Sequence, residues 1–474
     1  MSTVEDVPLY ENRRQIFPKA VKGSFRNFKW FVMIVTLGIY YVTPWIRWDR
    51  GPELPDQAVL VDLAGRRFFF FWIEIWPQEF YYIAGLLIMA GLGLFLVTSV
   101  LGRAWCGYAC PQTVWVDLYQ SVERWVDGDR NAQYRLWKAP WGAEKTRKRA
   151  IKWSIWLLIA VATGGAWIFY FADAPSLFVD LFTGQAAFVA YATVGVLTAT
   201  TFVFGGFMRE QVCIYMCPWP RIQGAMLDEN SLIVTYKDWR GEPRGKHRKK
   251  AAEALGDCID CNACVNVCPT GVDIREGQQV GCITCALCID ACDDIMKKIG
   301  KPRGLIDYCT LVDAEAEKRG ALPQPVWSKI VRPRTILYFF LWSLIGVAMV
   351  VTLFLREDIG LTVAPERNPV FVTLSDGEIR NSYDIKIQNM QDATARFRVS
   401  VKADYVVRQA LQGMDGMVLE IPAQEQRRTK LFLTAPPWFG MPERFGVRVW
   451  VENLTTRDRT YYDTQFRGPE RDAD

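Results

Sequence analysis

Residues 258–269 read Cys258-Ile-Asp-Cys261-Asn-Ala-Cys264-Val-Asn-Val-Cys268-Pro269, and residues 282–292 read Cys282-Ile-Thr-Cys285-Ala-Leu-Cys288-Ile-Asp-Ala-Cys292. The first run has the C-x2-C-x2-C-x3-C-P spacing of bacterial ferredoxins. Three closely spaced thiolates curl around one [4Fe–4S] cluster, and the fourth cysteine of the run binds the other cluster. We therefore predict two clusters, the first held by Cys258, Cys261, Cys264 and Cys292, and the second by Cys282, Cys285, Cys288 and Cys268.

Zinc is the alternative for these cysteines, but zinc ribbons use two C-x2-C pairs instead of two runs of four. Asp293 stands where a proline usually follows the second run, and this change removes no ligand. Two fully ligated clusters leave no open position for a substrate, so the pattern indicates electron transfer. Cys309 lies outside both runs, and we expect it to be a buried structural thiol.

A second cysteine pattern occurs twice, as Cys106-Gly-Tyr-Ala-Cys110-Pro111 and as Cys213-Ile-Tyr-Met-Cys217-Pro218. Each copy follows an apolar segment, which indicates an internal repeat of one helix and one motif. Proline suits the first turn of a new helix, and the residues after Pro111 have the spacing of an amphipathic helix lying on the membrane interface. Cys110 at its N-terminus should have a lowered thiol pKa.

Soft thiolates suit Cu(I), so the motif cysteines are candidate catalytic and copper-binding residues. They are Cys106, Cys110, Cys213 and Cys217. A redox disulfide, a third metal–sulfur centre or helix-end packing remain open, although the repetition disfavours packing alone. Spacing does not select copper.

The 474-residue chain is 50% hydrophobic, which excludes a disordered protein and indicates membrane helices among polar parts. A single histidine, His247, excludes bis-histidine haem and His-rich metal sites. The net charge of +5 does not indicate nucleic acid, and the basic run 244–250 is interpreted as a lipid-facing anchor. Five charge-free segments are predicted to span the membrane, at about 30–46, 80–101, 153–171, 186–207 and 335–355.

Lysine and arginine counts predict the orientation of these spans. The arm 1–29 has six, the loop 102–152 has ten and the loop 208–334 has 19, whereas the alternating loops have four and none. The basic loops belong in the cytoplasm. The predicted domains are the cytoplasmic arm 1–29, a membrane region 30–207, a cytoplasmic loop 208–334 with a ferredoxin domain at about 250–300, a fifth span 335–355, and a periplasmic domain 361–474.

The last segment, 361–474, alternates apolar and polar residues in short strands. Residues 371–374 and 383–387 flank the turn-forming stretch 375–378, and similar strands follow at 397–401, 429–433 and 445–450. This spacing predicts an antiparallel β-sandwich. It contains no cysteine and no histidine, and we interpret Met414 and Met417 as core or loop residues instead of copper ligands.

Long specific strings give the chain a resemblance to a known family. They include Arg47-Trp-Asp-Arg-Gly-Pro52, Phe71-Trp-Ile-Glu-Ile-Trp-Pro-Gln-Glu79, both motifs with their flanks and the double ferredoxin run. Nearly the whole chain resembles the cytochrome c oxidase accessory proteins called CcoG, also FixG or RdxA. The resemblance implies a bacterial inner-membrane protein with cytoplasmic clusters and a periplasmic immunoglobulin-like domain.

The resemblance also implies reduction of Cu(II) to Cu(I) for assembly of cbb-type cytochrome oxidase, with the four motif cysteines handling copper as substrate or bound metal. The expected partners are membrane lipid, an unidentified cytoplasmic electron donor, a copper chaperone or copper-transporting ATPase, and oxidase assembly factors. A homodimer is left open. The alternatives are an electron carrier to quinone or a partner subunit, and a non-catalytic assembly scaffold.

Overall fold

A computed structural model describes residues 15–50, 54–246, 255–322, 325–356, 359–391, 393–414, 416–437 and 442–469. His247 and the basic residues that follow it lie outside these ranges. The chain divides into two compact units, Met1–Met349 and Val350–Asp474. The first unit is mainly helical, and the second consists of β-strands apart from the end of one helix.

The helices are named in chain order. They are α1 Ser24–Val42, α2 Tyr81–Leu101, α3 Pro111–Asp127, α4 Arg130–Lys138, α5 Ala143–Ile168, α6 Ala174–Thr183, α7 Phe188–Val203, α8 Arg209–Gln211, α9 Trp219–Met226, α10 Asp238–Gly241, α11 Ala263–Val267, α12 Leu287–Lys298, α13 Leu311–Lys318, α14 Val326–Ile330 and α15 Pro333–Phe354.

The strands are named likewise. They are β1 Val59–Asp62, β2 Arg67–Phe70, β3 Ile73–Ile75, β4 Ile233–Tyr236, β5 Ile306–Cys309, β6 Ile359–Pro365, β7 Val372–Thr373, β8 Ile379–Asn389, β9 Ala395–Ala403, β10 Arg408–Leu411, β11 Val418–Ile421, β12 Gln426–Ala435, β13 Arg444–Asn453 and β14 Arg459–Arg467. Strands β1 to β3 form a small antiparallel sheet between α1 and α2 that the sequence did not predict.

Four helical segments of the described chain are long and apolar enough to cross a membrane. They are α2, α5, the continuous segment Phe188–Met216 that begins with α7, and α15. They match four of the five predicted spans. Helix α1 is not among them, because its first two turns contain Arg26 and Lys29. Its exposed Phe31, Ile34 and Ile39 are nevertheless apolar.

Helices α5 and α7 pack closely through a small residue. A Cβ atom on Gly164 would lie 3.0 Å from the Val194 carbonyl oxygen, whereas one on the adjacent Gly165 would meet no atom within 4 Å. Small residues allow two membrane helices to approach in this way. Gly164 therefore marks the contact surface of α5.

Helix α3 buries charged residues. Asp117 and Glu123 are only 3% and 4% exposed, while Trp125 is 78% exposed. The Arg26 Nη1 donates to both carboxylate oxygens of Asp117, at 2.7 and 2.9 Å, and Glu123 accepts from Lys152 and Arg209. The counter-ions come from distant parts of the chain, so the pattern of α3 alone could not reveal them. The predicted helix after Pro111 is confirmed, and its position at the membrane interface stays a prediction.

The ferredoxin region is held together by a two-stranded sheet and two short helices. Strand β4 pairs antiparallel with β5, so residues on either side of both cysteine runs are joined. The apolar core includes Val234, Ile289 and Met296 together with cluster cysteines. Cys309 on β5 is buried, as expected, and its thiol donates to the Thr310 carbonyl oxygen at 3.2 Å.

The second unit is an antiparallel sandwich. One sheet has the order β10-β12-β8-β6 with β7 also paired to β8, and the other has the order β11-β9-β13-β14. Alternate residues of both sheets form one core, including Tyr383, Phe397 and Phe466, which are each fully buried. Met414 and Met417 pack at its edge, in agreement with their predicted structural role.

Candidate functional site

The two cysteine motifs adopt the same local structure. Each forms a five-residue π-helical turn, Trp105–Ala109 in the first copy and Val212–Met216 in the second. The backbone N–H of Cys110 donates to the Trp105 carbonyl at 2.8 Å, and that of Cys217 donates to the Val212 carbonyl at the same distance. A new helix starts directly afterwards in both copies. The geometry matches the predicted repeat, and π turns of this kind are frequent at functional sites.

Cys106 is buried among residues of the ferredoxin runs. It packs in one apolar group with Cys285, Ile283 and Val267, and its thiol donates to the Gln223 Oε1 at 2.9 Å. Gln223 lies on α9, immediately after the second motif, so α9 reaches back to the first motif. The thiol has one polar partner in otherwise apolar surroundings.

Electrostatics places the motif cysteines near one another. Burial raises the pKa of Cys106 to about 11, and the proximity of Cys110 and Cys217 raises it further, against a lowering influence of Arg103. Burial also raises the pKa of Cys110, with Cys217 contributing. The thiols of both motifs therefore share one neighbourhood.

The predicted lowering of the Cys110 pKa is wrong. Cys110 is the N-cap of α3, as expected, and the backbone N–H groups of Gln112 and Thr113 do favour its thiolate. Burial opposes this effect and is the larger influence, because a desolvated thiolate is costly. Sequence spacing indicates the helix terminus and cannot indicate how deeply the thiol is buried.

The second motif also borders the ferredoxin runs. Cys213 lines a cavity together with Pro269, Thr270 and Ile283. Ile214 lies within van der Waals reach of Gly281, just before the second run. Both motifs thus meet the same side of the ferredoxin region.

The eight ferredoxin cysteines gather around two cavities. Cys258, Cys261, Cys264 and Cys292 line one of them. The other cavity is lined by Cys268, Cys282, Cys285 and Cys288, and also by Cys264. Each grouping combines three cysteines of one run with the fourth cysteine of the other. A donor set of four thiols around one cavity fits a [4Fe–4S] cluster.

A direct hydrogen bond connects the first motif to the second of these cavities. The Tyr108 hydroxyl, between Cys106 and Cys110, donates to the Cys285 carbonyl oxygen at 3.2 Å. Tyr308 from β5 donates to the neighbouring Thr284 carbonyl at 2.6 Å. The backbones are also in close contact, since a Cβ on Gly107 would lie 2.7 Å from the Ile283 carbonyl oxygen.

In the described ranges, no three side chains of His, Cys, Asp or Glu are grouped to hold a single metal ion. A cubane binds each thiolate at a separate iron, so its ligands stand further apart than those of one ion.

Sequence reasoning missed several residues that build this site. Gln223 bonds the Cys106 thiol, Tyr108 bonds the Cys285 backbone, and the buried Arg103 donates to the Val280 carbonyl at 2.6 Å. The tyrosine at the centre of both motifs was visible as a repeated residue. The roles of Gln223 and Arg103 could not be recognised from the sequence, because their contacts are formed only in the folded chain.

Comparison with protein families matches three parts of the chain. Residues 208–311 match a 4Fe-4S dicluster domain, and residues 83–129 match a 4Fe-4S binding domain. Residues 349–469 match the IG-like fold at the C-terminal of FixG. With the apolar helices, these matches define an iron–sulfur redox protein of the membrane.

Curated relatives match over nearly the full length. The chain is 59% identical to protein RdxB of Cereibacter sphaeroides, covering 97% of each chain, and 58% identical to protein RdxA of the same organism, covering 90% and 91%. It is 54% identical to the nitrogen fixation protein FixG of Rhizobium meliloti, covering 98% of this chain and 94% of the relative. The chain belongs to the FixG/RdxA family.

Proposed function

We propose that this protein is a membrane-bound cupric reductase that supplies Cu(I) for assembly of cbb-type cytochrome oxidase. The observation that supports it most is the packing of Cys106 against Cys285, which brings a pair of soft donors next to an iron–sulfur site. Electron transfer requires such proximity, and Cu(I) prefers thiolate ligands. Copper as the substrate and cbb-type oxidase as the destination are proposed from the resemblance of the chain to its family.

The residues that would hold the clusters are the two cysteine groups around the cavities. Cys258, Cys261, Cys264 and Cys292 form the first group, and Cys268, Cys282, Cys285 and Cys288 form the second. When bound, such clusters supply single electrons at low potential. The surrounding apolar core limits the access of water to the thiolates.

Copper is the substrate in this proposal. Cu(II) binds at Cys106, Cys110, Cys213 and Cys217, gains one electron and leaves as Cu(I). The electron comes from a cytoplasmic donor, and the product passes to a copper chaperone or a copper-transporting ATPase. We place the reaction on the cytoplasmic side of a bacterial inner membrane, in agreement with the positive charge of the loops.

The double variant Cys106→Ser/Cys110→Ser tests this proposal. Purified full-length protein is reduced, Cu(II) is added, and Cu(I) formation is followed with a Cu(I)-specific chelator. We expect the variant to lose most of the activity while electron paramagnetic resonance shows both clusters. Cys309→Ser is the matched control, because Cys309 is equally buried but lies outside the motifs. Unchanged cupric reduction in the double variant would remove these thiols from the reaction.

Electron transfer to a partner is the second candidate, and one cavity favours it. A cavity of about 390 Å³ opens onto Cys282 and is lined by Arg103, Arg221 and Gln279. A docked partner or a quinone would exchange electrons there. This function predicts that quinone reoxidises the reduced protein and that the Cys106→Ser/Cys110→Ser variant still supports the reaction.

A further inference from the structure

A basic cavity lies at the start of α1. It has a volume of about 430 Å³ and is lined by the segment before α1, the first turns of α1, α3 and Leu287 at the start of α12, which also lines one of the cysteine cavities. Four of its lining side chains are cations: Lys19, Lys22, Arg26 and Arg124. Within the described ranges no carboxylate lines it.

Most of this positive charge lacks a counter-ion. Arg26 is paired with Asp117 at 2.7 Å, but the described residues place no carboxylate within ion-pair distance of Lys19, Lys22 or Arg124. Asp129, which follows α3, accepts a hydrogen bond from the backbone N–H of Ala20 at 2.9 Å. Among the described residues, the lining of the cavity therefore has an excess of cations.

Arg124 shows this excess most clearly. Its Nε is buried and has no hydrogen-bond partner. Burial lowers its pKa and repulsion by Arg26 lowers it further, which outweighs the raising influence of Asp117, Asp129 and Glu123. An anion in the cavity would satisfy the Nε and reduce this repulsion.

The surroundings of the cavity are typical of a membrane interface. Trp30 lies in its wall, with the Arg26 guanidinium carbon 4.6 Å from the centre of the ring. Further along α1, Phe31 and Ile34 are 63% and 64% exposed. Tryptophan beside basic residues and an exposed apolar helix is the arrangement that contacts lipid head groups and acyl chains.

We propose that this cavity binds a negatively charged phosphate group, and that the exposed apolar side of α1 favours an anionic phospholipid head group as its source. Free phosphate has the same chemistry and is the alternative source. Arg124 and Arg26 would contact the phosphate from the protein interior, and Lys19 and Lys22 from the exposed rim. Asn27 offers a further hydrogen-bond donor, whereas the Ser121 hydroxyl in the wall already donates to the Asp117 carbonyl oxygen at 2.8 Å.

The test uses the full-length protein with its clusters in a non-ionic detergent. Phosphatidylglycerol, phosphatidylcholine or inorganic phosphate is titrated, and binding is measured by native mass spectrometry and by the thermal unfolding midpoint. We expect phosphatidylglycerol to bind and to raise the midpoint, and phosphatidylcholine to have little effect. In Lys22→Gln/Arg124→Gln the affinity should fall about thirty-fold, as expected for two lost cation contacts.

The control is Lys138→Gln/Arg147→Gln, which removes two exposed cations on α4 and α5 that do not line the cavity. It should bind phosphatidylglycerol like the unmodified protein. The single variant Lys22→Gln, at an exposed position, serves if the double variant folds poorly. Tight binding of inorganic phosphate in competition with phosphatidylglycerol would uphold the site but overturn the lipid source. Equal affinity for phosphatidylcholine, or unchanged binding in the double variant, would overturn the site.

Discussion

Asp117 connects α3 with α1 through charge. Burial tends to raise its pKa, but Lys29 and Arg26 outweigh burial, and its pKa lies below the ordinary value. A carboxylate of this kind adds stability at neutral pH, and the stability is lost as pH falls through the folded-state pKa. Glu123 behaves alike, because Arg209 and Lys152 outweigh its burial.

We therefore expect the thermal midpoint of the full-length protein to be constant from about pH 7 to pH 5 and to fall below about pH 4, where these acids take up protons. Asp117→Asn should lower the midpoint at pH 7, since breaking a buried pair costs about 3–5 kcal/mol. The variant should also show a smaller fall of the thermal midpoint at acidic pH. An Asp117→Asn protein with the unmodified pH profile would contradict this account, and Glu144→Gln, at an exposed acid, is the control.

Gly107 lies where the first motif meets the ferredoxin run. A methyl group there would approach the Ile283 carbonyl oxygen to 2.7 Å and the Cys285 Cα to 3.1 Å, and backbone atoms cannot move away cheaply.

Gly107→Ala should separate the motif from the run and lower the rate of electron delivery to Cu(II), while both clusters are retained. Stopped-flow reoxidation of the reduced protein by Cu(II) measures the rate. Gly91→Ala in α2 is the control, because its added Cβ meets no atom within 4 Å. Equal rates in the two variants would mean that the contact does not matter for transfer.

At the scale of elements, the sequence predicted what depends on local spacing. Four apolar helices and several strands of the sandwich follow from period and spacing, and the structure agrees with them. The ferredoxin cysteines line two cavities, and their assignment as ligands of two clusters stays a prediction. The inward side of α3 depends on Arg26, Lys152 and Arg209, which come from other segments. The burial of Cys110 likewise cannot be predicted from its spacing. The helical periodicity of a sequence suggests that the polar side of a helix faces solvent. Only the fold shows that cations from other segments contact the polar side of α3.

The contact between α5 and α7 gives a matched pair of adjacent glycines. Gly164→Ala should lower stability by about 1–3 kcal/mol, because the new methyl group overpacks the contact with the Val194 carbonyl. Gly165→Ala should be neutral or slightly stabilising, since alanine is the better helix former and the position is open. Thermal unfolding of both variants in detergent compares them. Similar midpoints would show that the two helices do not rely on this approach.

For the whole molecule, the number of spans determines which compartment holds the sandwich. The described chain has four helices that qualify by length and apolarity, and the fifth predicted span falls on α1. With α1 across the membrane, the ferredoxin region lies on the side of the N-terminal arm and the C-terminal unit on the opposite side. With α1 along the surface, the chain from α2 to α15 crosses four times and the two sides are exchanged.

We expect five crossings, because the basic loops and the exposed apolar residues of α1 agree with them. Alkaline phosphatase fused after residue 474 should be active in the periplasm, whereas a fusion after residue 246 should be inactive. Green fluorescent protein fusions at the same positions should give the reverse pattern. An active phosphatase after residue 246 with an inactive one after residue 474, the pattern expected if α1 lies along the cytoplasmic surface, would contradict the five-span arrangement.

The matching π turns have a consequence for the origin of the chain. Each turn ends a long apolar segment and begins a new helix, and together they contribute four thiols to one neighbourhood. If the two halves arose by gene duplication, an ancestor with a single copy could have assembled the same four sulfur atoms only by pairing with a second polypeptide. In that case, fusion of the two copies joined two subunits in one chain. Each copy could then diverge, and Met216 in the second motif stands where the first motif has Ala109.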